Sequence, residues 1–207
     1  MLEGKRIVLG VTGGIAAYKA VDLVSRLRKR GCEVRVIMTE HAQQFVTPLT
    51  FKEISGNKVA TSMWDGNQEY NVEHIALANW ADAFVVAPAT ANILAKMANG
   101  IADDLLSTTL LAAQAPIVVC PAMNTGMYLN PITQENLVKL KEHGVTVMPT
   151  AVGYLACGTS GPGRLPEPAD IVSFMENFFA KSEGDLRGLR ILVTAAGTRE
   201  PIDPVRF

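Results

Sequence analysis

Short apolar runs and helix-period segments alternate along this chain, and that alternation limits the folds open to it more than any other feature. Entered through Arg6, Ile7-Val8-Leu9-Gly10-Val11 is a continuous apolar run, as a strand covered on both faces must be. Gly13-Gly14 breaks it. From about Ile15 to Arg30, apolar residues recur at Ala17, Val21, Val24 and Leu27, with Lys and Arg on the other side. That is a helical stripe, and Gly31 then stops the helix. Glu33 to Met38 reads as a second strand. Short helices over Glu40–Phe45 and Pro48–Ser55 come next, then a polar loop at Gly66-Asn67.

The second half repeats the rhythm. Ala83 to Ala87 predicts a strand ended by Pro88, and Ile117 to Cys120 predicts another. Thr90–Ala98 and Asp103–Ala113 predict helices between them. Pro131–His143 predicts a helix with proline in its first turn and Gly144 at its end, the usual asymmetry of helix ends. Val145–Met148 reads as a strand, Thr150–Pro166 as irregular and Gly/Pro-rich, and Ala169–Lys181 as a last helix. Strands separated by helices need crossover connections. The predicted class is therefore α/β, a doubly wound, mainly parallel sheet in three layers. Ligands of such sheets sit outside the carboxyl ends of the strands. That directs attention to Thr12-Gly13-Gly14, Thr39, Ala87-Pro88-Ala89-Thr90 and Pro121-Ala122-Met123-Asn124.

Charge narrows the function. The 207 residues carry 19 Lys and Arg against 20 Asp and Glu, without the basic excess of a nucleic-acid or anionic-membrane binder. Leu105 to Gln134 contains no Asp, Glu, Lys or Arg. Pro116, Pro121, Gly126 and Pro131 interrupt it too often for a membrane span. It reads as a buried helix, a buried strand and a deep loop fit for an uncharged ring. Cys32, Cys120 and Cys157 have neither paired nor metal-type spacing. Free thiols, a reducing compartment and no metal site are expected. Met1 to Arg6 lacks the apolar core of a secretory leader, so a cytoplasmic enzyme is the expectation.

Several short stretches carry chemistry. Gly13-Gly14-Ile15 after the first strand lets backbone approach a ligand and opens a helix whose N–H groups attract anions. It is not a dinucleotide fingerprint, because no acidic residue is well placed about 20 residues on. In Ala87-Pro88-Ala89-Thr90-Ala91-Asn92, small residues leave room for a ring or phosphate, and Thr90 suits a helix cap. Asn124 lies between Met123 and Met127 in the charge-free stretch. Its amide could hold a carboxylate without neutralising it, as decarboxylation requires. His74, just before Trp80-Ala81-Asp82, is of a type that serves as a base near neutral pH. Cys157 sits among glycines in Ala156-Cys157-Gly158-Thr159-Ser160-Gly161-Pro162-Gly163-Arg164, which suggests a flap. Cys120 reads as core and Cys32 as incidental.

These motifs, in this order over about residues 5–180, resemble the homo-oligomeric flavin-containing cysteine decarboxylases. The likeness is strongest to the phosphopantothenoylcysteine decarboxylases that form half of a bifunctional decarboxylase and synthetase (ligase) of coenzyme A biosynthesis. Tyr128 stands where the family often has Trp. The resemblance implies a Rossmann-like flavoprotein fold, bound FMN, and decarboxylation of 4′-phosphopantothenoylcysteine to 4′-phosphopantetheine. It implies His74 as base, Asn124 and Met127 as substrate-binding residues, and Cys157 as the proton donor that also touches substrate. Gly13, Gly14, Ile15, Thr39, Phe45, Ala87, Thr90, Asn92, Ala122 and Met123 would line the FMN site. The family builds homotrimers with the site at the interface, and full-length bifunctional forms build dodecamers.

The organisation expected is a decarboxylase over residues 1–181, a linker over 182–189, and over 190–207 the truncated opening of a synthetase-like domain, too short for synthetase activity. Three other readings compete. A flavin prenyltransferase would lack the set of His74, Asn124 and Cys157. A peptidyl-cysteine decarboxylase is opposed by the Cys157 flap and the synthetase-like tail. A non-catalytic regulatory flavoprotein is opposed by the three residues together.

Overall fold

A computed structural model of the protein describes residues 2–64, 73–154 and 160–183. The Gly66-Asn67 loop, Cys157 and residues 184–207 lie outside them. The elements run β1 (Arg6–Val11), α1 (Ala17–Lys29), β2 (Glu33–Met38), α2 (Pro48–Ser55), β3 (Val59–Ala60), α3 (Glu73–Trp80), β4 (Ala83–Ala89), α4 (Ala91–Asn99) and α5 (Leu105–Ala112). Next come β5 (Ile117–Pro121), α6 (Thr125–Leu129), α7 (Pro131–Glu142), β6 (Thr146–Val147), β7 (Ala151–Tyr154), β8 (Ser160–Arg164) and α8 (Pro168–Glu183). The first six strands form one parallel sheet in the order β3-β2-β1-β4-β5-β6.

Strand alternation builds two cores. Ile7, Leu9, Val11 and Val85 face one way, onto Leu23, Val24 and Leu27 of α1, Phe51 of α2, and Ile171, Met175 and Phe179 of α8. Val8, Phe84 and Val86 face the other, onto Leu77, Ile93, Leu94, Leu106, Leu110, Leu137 and Leu140 of α3, α4, α5 and α7. The three-layer α/β expectation is met, and the apolar runs are continuous because both faces are covered. A Cβ on Gly10 would stand 2.6 Å from Leu106 Cδ1. The bare backbone there is the seat of Leu106, a fully buried side chain that contributes roughly 1.5–3 kcal/mol.

Local differences from the sequence reading have physical causes. β4 does not end at Pro88 but continues to Ala89. Its ladder to β5 shifts register between Val86 and Ala89, so the missing N–H of Pro88 falls at an irregularity that tolerates it. Residues 150–166, expected to be irregular, contain the antiparallel β7–β8 ribbon. The helix expected over 40–45 is a short 3-10 turn, His41–Gln44. β3 and α6 were not anticipated, and α8 runs to Glu183, into the segment read as linker. The deep uncharged loop is also corrected. α5 and β5 are buried, but α6 has no buried residue, and Met127 and Leu129 are 51% and 58% exposed. No helix among the described residues is long and apolar enough to cross a membrane.

At the amino ends of the strands, Arg6 Nη2 meets Asp82 Oδ1 at 2.8 Å. The hydrogen bond from Arg6 holds the Asp82 carboxyl below its usual range. Arg35 stacks 4.2 Å from the centroid of the Trp80 ring. Trp80 and Asp82 thus hold together the sheet edge opposite the carboxyl ends.

Candidate active site

β2 lies beside β1 on one side and β4 on the other, so connections leave β1 in opposite directions. A crevice is expected at that switch point. A pocket of about 620 Å³ opens there, over the carboxyl ends of β1, β4 and β5. Its walls are Gly13 to Ala16, Tyr18 and Lys19 from the start of α1, and Pro88, Thr90 and Ala91 after β4. Ala122, Met123, Asn124 and Met127 after β5, and Gly163, Arg164 and Leu165 from the ribbon complete it.

The crest between β1 and β4 is fixed by one hydroxyl. Thr12 Oγ1 donates to Pro88 O at 2.7 Å and accepts from Thr90 N–H at 3.1 Å. Thr12 is 2% exposed; its bond to Pro88 O is buried and that from Thr90 N–H part-buried. Thr90 in turn caps α4 by accepting from Ile93 N–H. Gly13 has a packing reason to be glycine, since a Cβ there would stand 2.4 Å from His41 Cβ. Gly14 is different: a Cβ would meet only Thr90 Cγ2, at 3.7 Å. The N-terminus of α1 has no side-chain cap hydrogen bond and no acidic residue in its first turn. The positive end of its dipole suits an anion.

The β5 crest has one bond to the sheet, Ala122 N–H to Ala89 O at 3.0 Å, and is otherwise held from outside it. Asn124 caps α6, its Oδ1 accepting from Gly126 N–H at 2.8 Å. The amide also carries N–H donors, the groups an anion needs. Met123 N–H donates to Gly163 O at 2.9 Å, and Thr125 Oγ1 donates to Pro162 O at 2.9 Å. Gly163 has φ +118°, and a Cβ on it would stand 2.5 Å from Met123 O. Only glycine allows the ribbon to lie this close to β5.

Of the residues expected at the site, Gly13, Gly14, Ile15, Thr90, Ala122, Met123, Asn124 and Met127 come together in this pocket. Thr39, Phe45, Ala87, Asn92 and His74 are not among its walls. Thr39 supports the 3-10 turn, where its Oγ1 accepts from Ala42 N–H, and Phe45 caps that turn's end. Ala87 is wholly buried inside β4, Asn92 is exposed in the first turn of α4, and His74 is partly exposed in the first turn of α3. Sequence reasoning assigned no role to Tyr18, Lys19, Arg164 and Leu165, and it named Thr12 only by its place at a strand end. Lys19 carried a usable signal, one turn after the glycine pair; Thr12 carried none that separates it from an ordinary strand-end threonine.

Two thiols are accounted for. Burial pushes Cys120 up to about 12 and Cys32, chiefly by the same cause, up to about 11. Both sit in the core as unreactive apolar groups. Among the described residues no group of three or more His, Cys, Asp or Glu is placed to hold a metal ion.

This sheet order and this crevice define a Rossmann-like, three-layer α/β protein with an open pocket at its β1/β4 switch point. The sequence pattern described as Flavoprotein matches residues 1–180, and the chain belongs to that family. It is 50% identical over 206 residues to the coenzyme A biosynthesis bifunctional protein CoaBC of Haemophilus influenzae, matching 100% of this chain and 51% of that protein. The chain thus spans about half the length of the curated relatives it matches. Among solved structures it is similar to a PPC decarboxylase variant complexed with pantothenoylaminoethenethiol, at a TM-score of 0.76 and 34% identity, over 86% of this chain and 99% of that one. It is also similar to the FMN binding protein AtHal3, at a TM-score of 0.75 and 34% identity, over 86% and 98% of the two chains.

Proposed function

We propose that this chain is an FMN-dependent decarboxylase that converts 4′-phosphopantothenoylcysteine to 4′-phosphopantetheine and CO2 in coenzyme A biosynthesis, in the cytoplasm. The observation that carries this reading is the switch-point pocket with Asn124 in its wall, on a chain 34% identical to a PPC decarboxylase over 99% of that chain's length. The residues present fit FMN. Pro88, Ala91, Ala122, Met123 and Leu165 form walls suited to a flat ring, and the uncapped start of α1 beside Gly14 suits an anionic group.

Bound FMN would supply a reversible two-electron acceptor for the cysteine moiety, so that the overall reaction is redox-neutral and needs no external oxidant. Asn124 holds the substrate carboxylate by hydrogen bonds from its amide. Without an opposing charge the carboxylate is not stabilised as an anion, and its loss as neutral CO2 is not opposed. Met127 packs against the substrate beside it. His74 takes a proton from the substrate, and Cys157 returns one in the final reduction; both roles rest on the family resemblance.

His74 stands on α3 and is not among this pocket's walls, and Leu111, Met127, Leu129 and Ile132 of the uncharged stretch are exposed. We therefore take the working unit to be a trimer, with the site at the interface and larger forms building to a dodecamer. An exposed face without charge is what an interface core needs. Residues 190–207 are proposed as the opening of the synthetase-like domain.

The purified protein should be yellow, release FMN on denaturation, and liberate CO2 from 4′-phosphopantothenoylcysteine. A protein that neither binds FMN nor releases CO2 from this substrate would overturn the reading. Light scattering that finds a fully active monomer would overturn the trimeric site alone.

A further inference from the structure

Among the described residues, the charged side chains in the pocket wall are Lys19 and Arg164, and both are cations. They come from different elements, Lys19 from the start of α1 and Arg164 from the end of β8. Both reach the same oxygen of one carboxylate. Lys19 Nζ lies 2.8 Å and Arg164 Nη2 2.6 Å from Glu167 Oε1. Glu167 itself is not in the wall. One negative charge between two positive ones leaves a net positive charge at this end of the pocket. Asp22, a further carboxylate that acts on Glu167, is engaged by Arg26 at 2.7 Å.

The two cations differ in setting. The Lys19 side chain is only 12% exposed, while those of Arg164 and Glu167 are 41% and 50% exposed. A lysine so nearly buried and held by a half-exposed carboxylate is poised for a second anion. The first turn of α1, which contributes Lys19, has no acid to offset its dipole. A phosphate monoester carries about −1.5 to −2 at neutral pH and three strong acceptor oxygens. It can take hydrogen bonds from an ammonium and a guanidinium at once, and Arg matches it in bidentate fashion.

We propose that Lys19 and Arg164, clipped together by Glu167, form a subsite for a phosphate monoester in the wall of this pocket. Two ligands of the proposed function carry that group, the cofactor FMN and the phosphopantetheine-type substrate. Glu167 would hold the two long side chains in register before the phosphate arrives, which lowers the ordering cost of binding. It also competes with the incoming anion, so the subsite is tuned and not maximally tight.

The inference rests on the proposed function for its choice of ligands, and its test does not depend on turnover. Affinities of the chain for FMN and riboflavin would be measured by flavin fluorescence. Affinities of the FMN-loaded protein for 4′-phosphopantetheine and pantetheine would be measured by calorimetry. Each pair differs only in the phosphate, so a ratio within a pair cancels general damage to the fold. Arg164→Gln and Lys19→Gln should each reduce one ratio by about tenfold or more, with Arg164→Lys losing less. A fall in the FMN to riboflavin ratio assigns the subsite to the cofactor. A fall in the phosphopantetheine to pantetheine ratio assigns it to the substrate. If neither ratio moves in either glutamine variant, the subsite is refuted, even where the wild type releases CO2 as proposed.

Discussion

The crests after β4 and β5 begin alike and end differently. Each carries a proline at the strand end, small residues, and a capping side chain, Thr90 in one and Asn124 in the other. Thr90 starts a nine-residue helix that buries Ile93, Leu94 and Ala98, and its crest is tied to β1 through Thr12. Asn124 starts a five-residue helix that buries nothing, and its crest is tied to the β7–β8 ribbon. The first wall of the pocket is therefore part of the core. The second borrows its position from a separate two-stranded element, the one whose connection contains Cys157. A site built this way has one wall set by folding and another open to adjustment.

The largest expected effect comes from breaking the borrowed wall at its closest approach. Gly163→Ala puts a Cβ 2.5 Å from Met123 O at a φ of +118°, and should cost about 2 kcal/mol or more. Gly14→Ala, facing only Thr90 Cγ2 at 3.7 Å, should leave stability nearly unchanged. Urea unfolding of both variants checks this, and equal midpoints would contradict it.

Hydroxyl deletions sharpen the contrast. Thr12→Val strands the buried Pro88 carbonyl and Thr90 N–H and should cost about 1–3 kcal/mol. Thr125→Val loses one part-buried bond and should cost about 1 kcal/mol, yet weaken ligand affinity by more than its stability loss suggests. Denaturation beside FMN titration separates the two. If Thr125→Val proved as destabilising as Thr12→Val, the distinction between core wall and borrowed wall would fail.

The smallest effect lies at the opposite edge of the sheet, as a reference that touches neither crest. The hydrogen bond from Arg6 lowers the Asp82 carboxyl. A carboxyl lowered by folding contributes stability that is complete above its unfolded value, about 4, and is lost as pH falls through the folded value. The advantage of the wild type over Asp82→Asn should therefore be constant above about pH 4 and shrink below it. A pH series of thermal unfolding, with ligand affinity unchanged throughout, is the check.

Legibility in the sequence divides along the same line. The core wall was legible because continuous apolar strands and amphipathic helices have strong periods, and Glu33–Met38 falls where its pattern placed it. Gly13, Gly14 and Thr90 stand out because they come directly after strands. The ribbon was not legible, because Ser160-Gly161-Pro162-Gly163-Arg164 has almost no strand propensity, and its pairing with β7 and its close seat on Met123 and Thr125 are tertiary. α6 is too short for periodicity to register. Lys19 could be noticed from its place one turn after the glycine pair, but its bond to Glu167, 148 residues on, could not.

The seat of Leu106 on Gly10 bears on how the chain folds in time. β1 needs β4 along one edge and α5 across one face, and the Thr12 to Pro88 bond alone joins residues 76 apart in sequence. Contacts between such distant segments are slow to form, because the chain between them must close first. Until β4 and α5 are made, β1 is unpaired on one side and has an empty dimple at Gly10. Consolidation must wait for the second half, and until then β1 is an exposed apolar edge open to association with other chains.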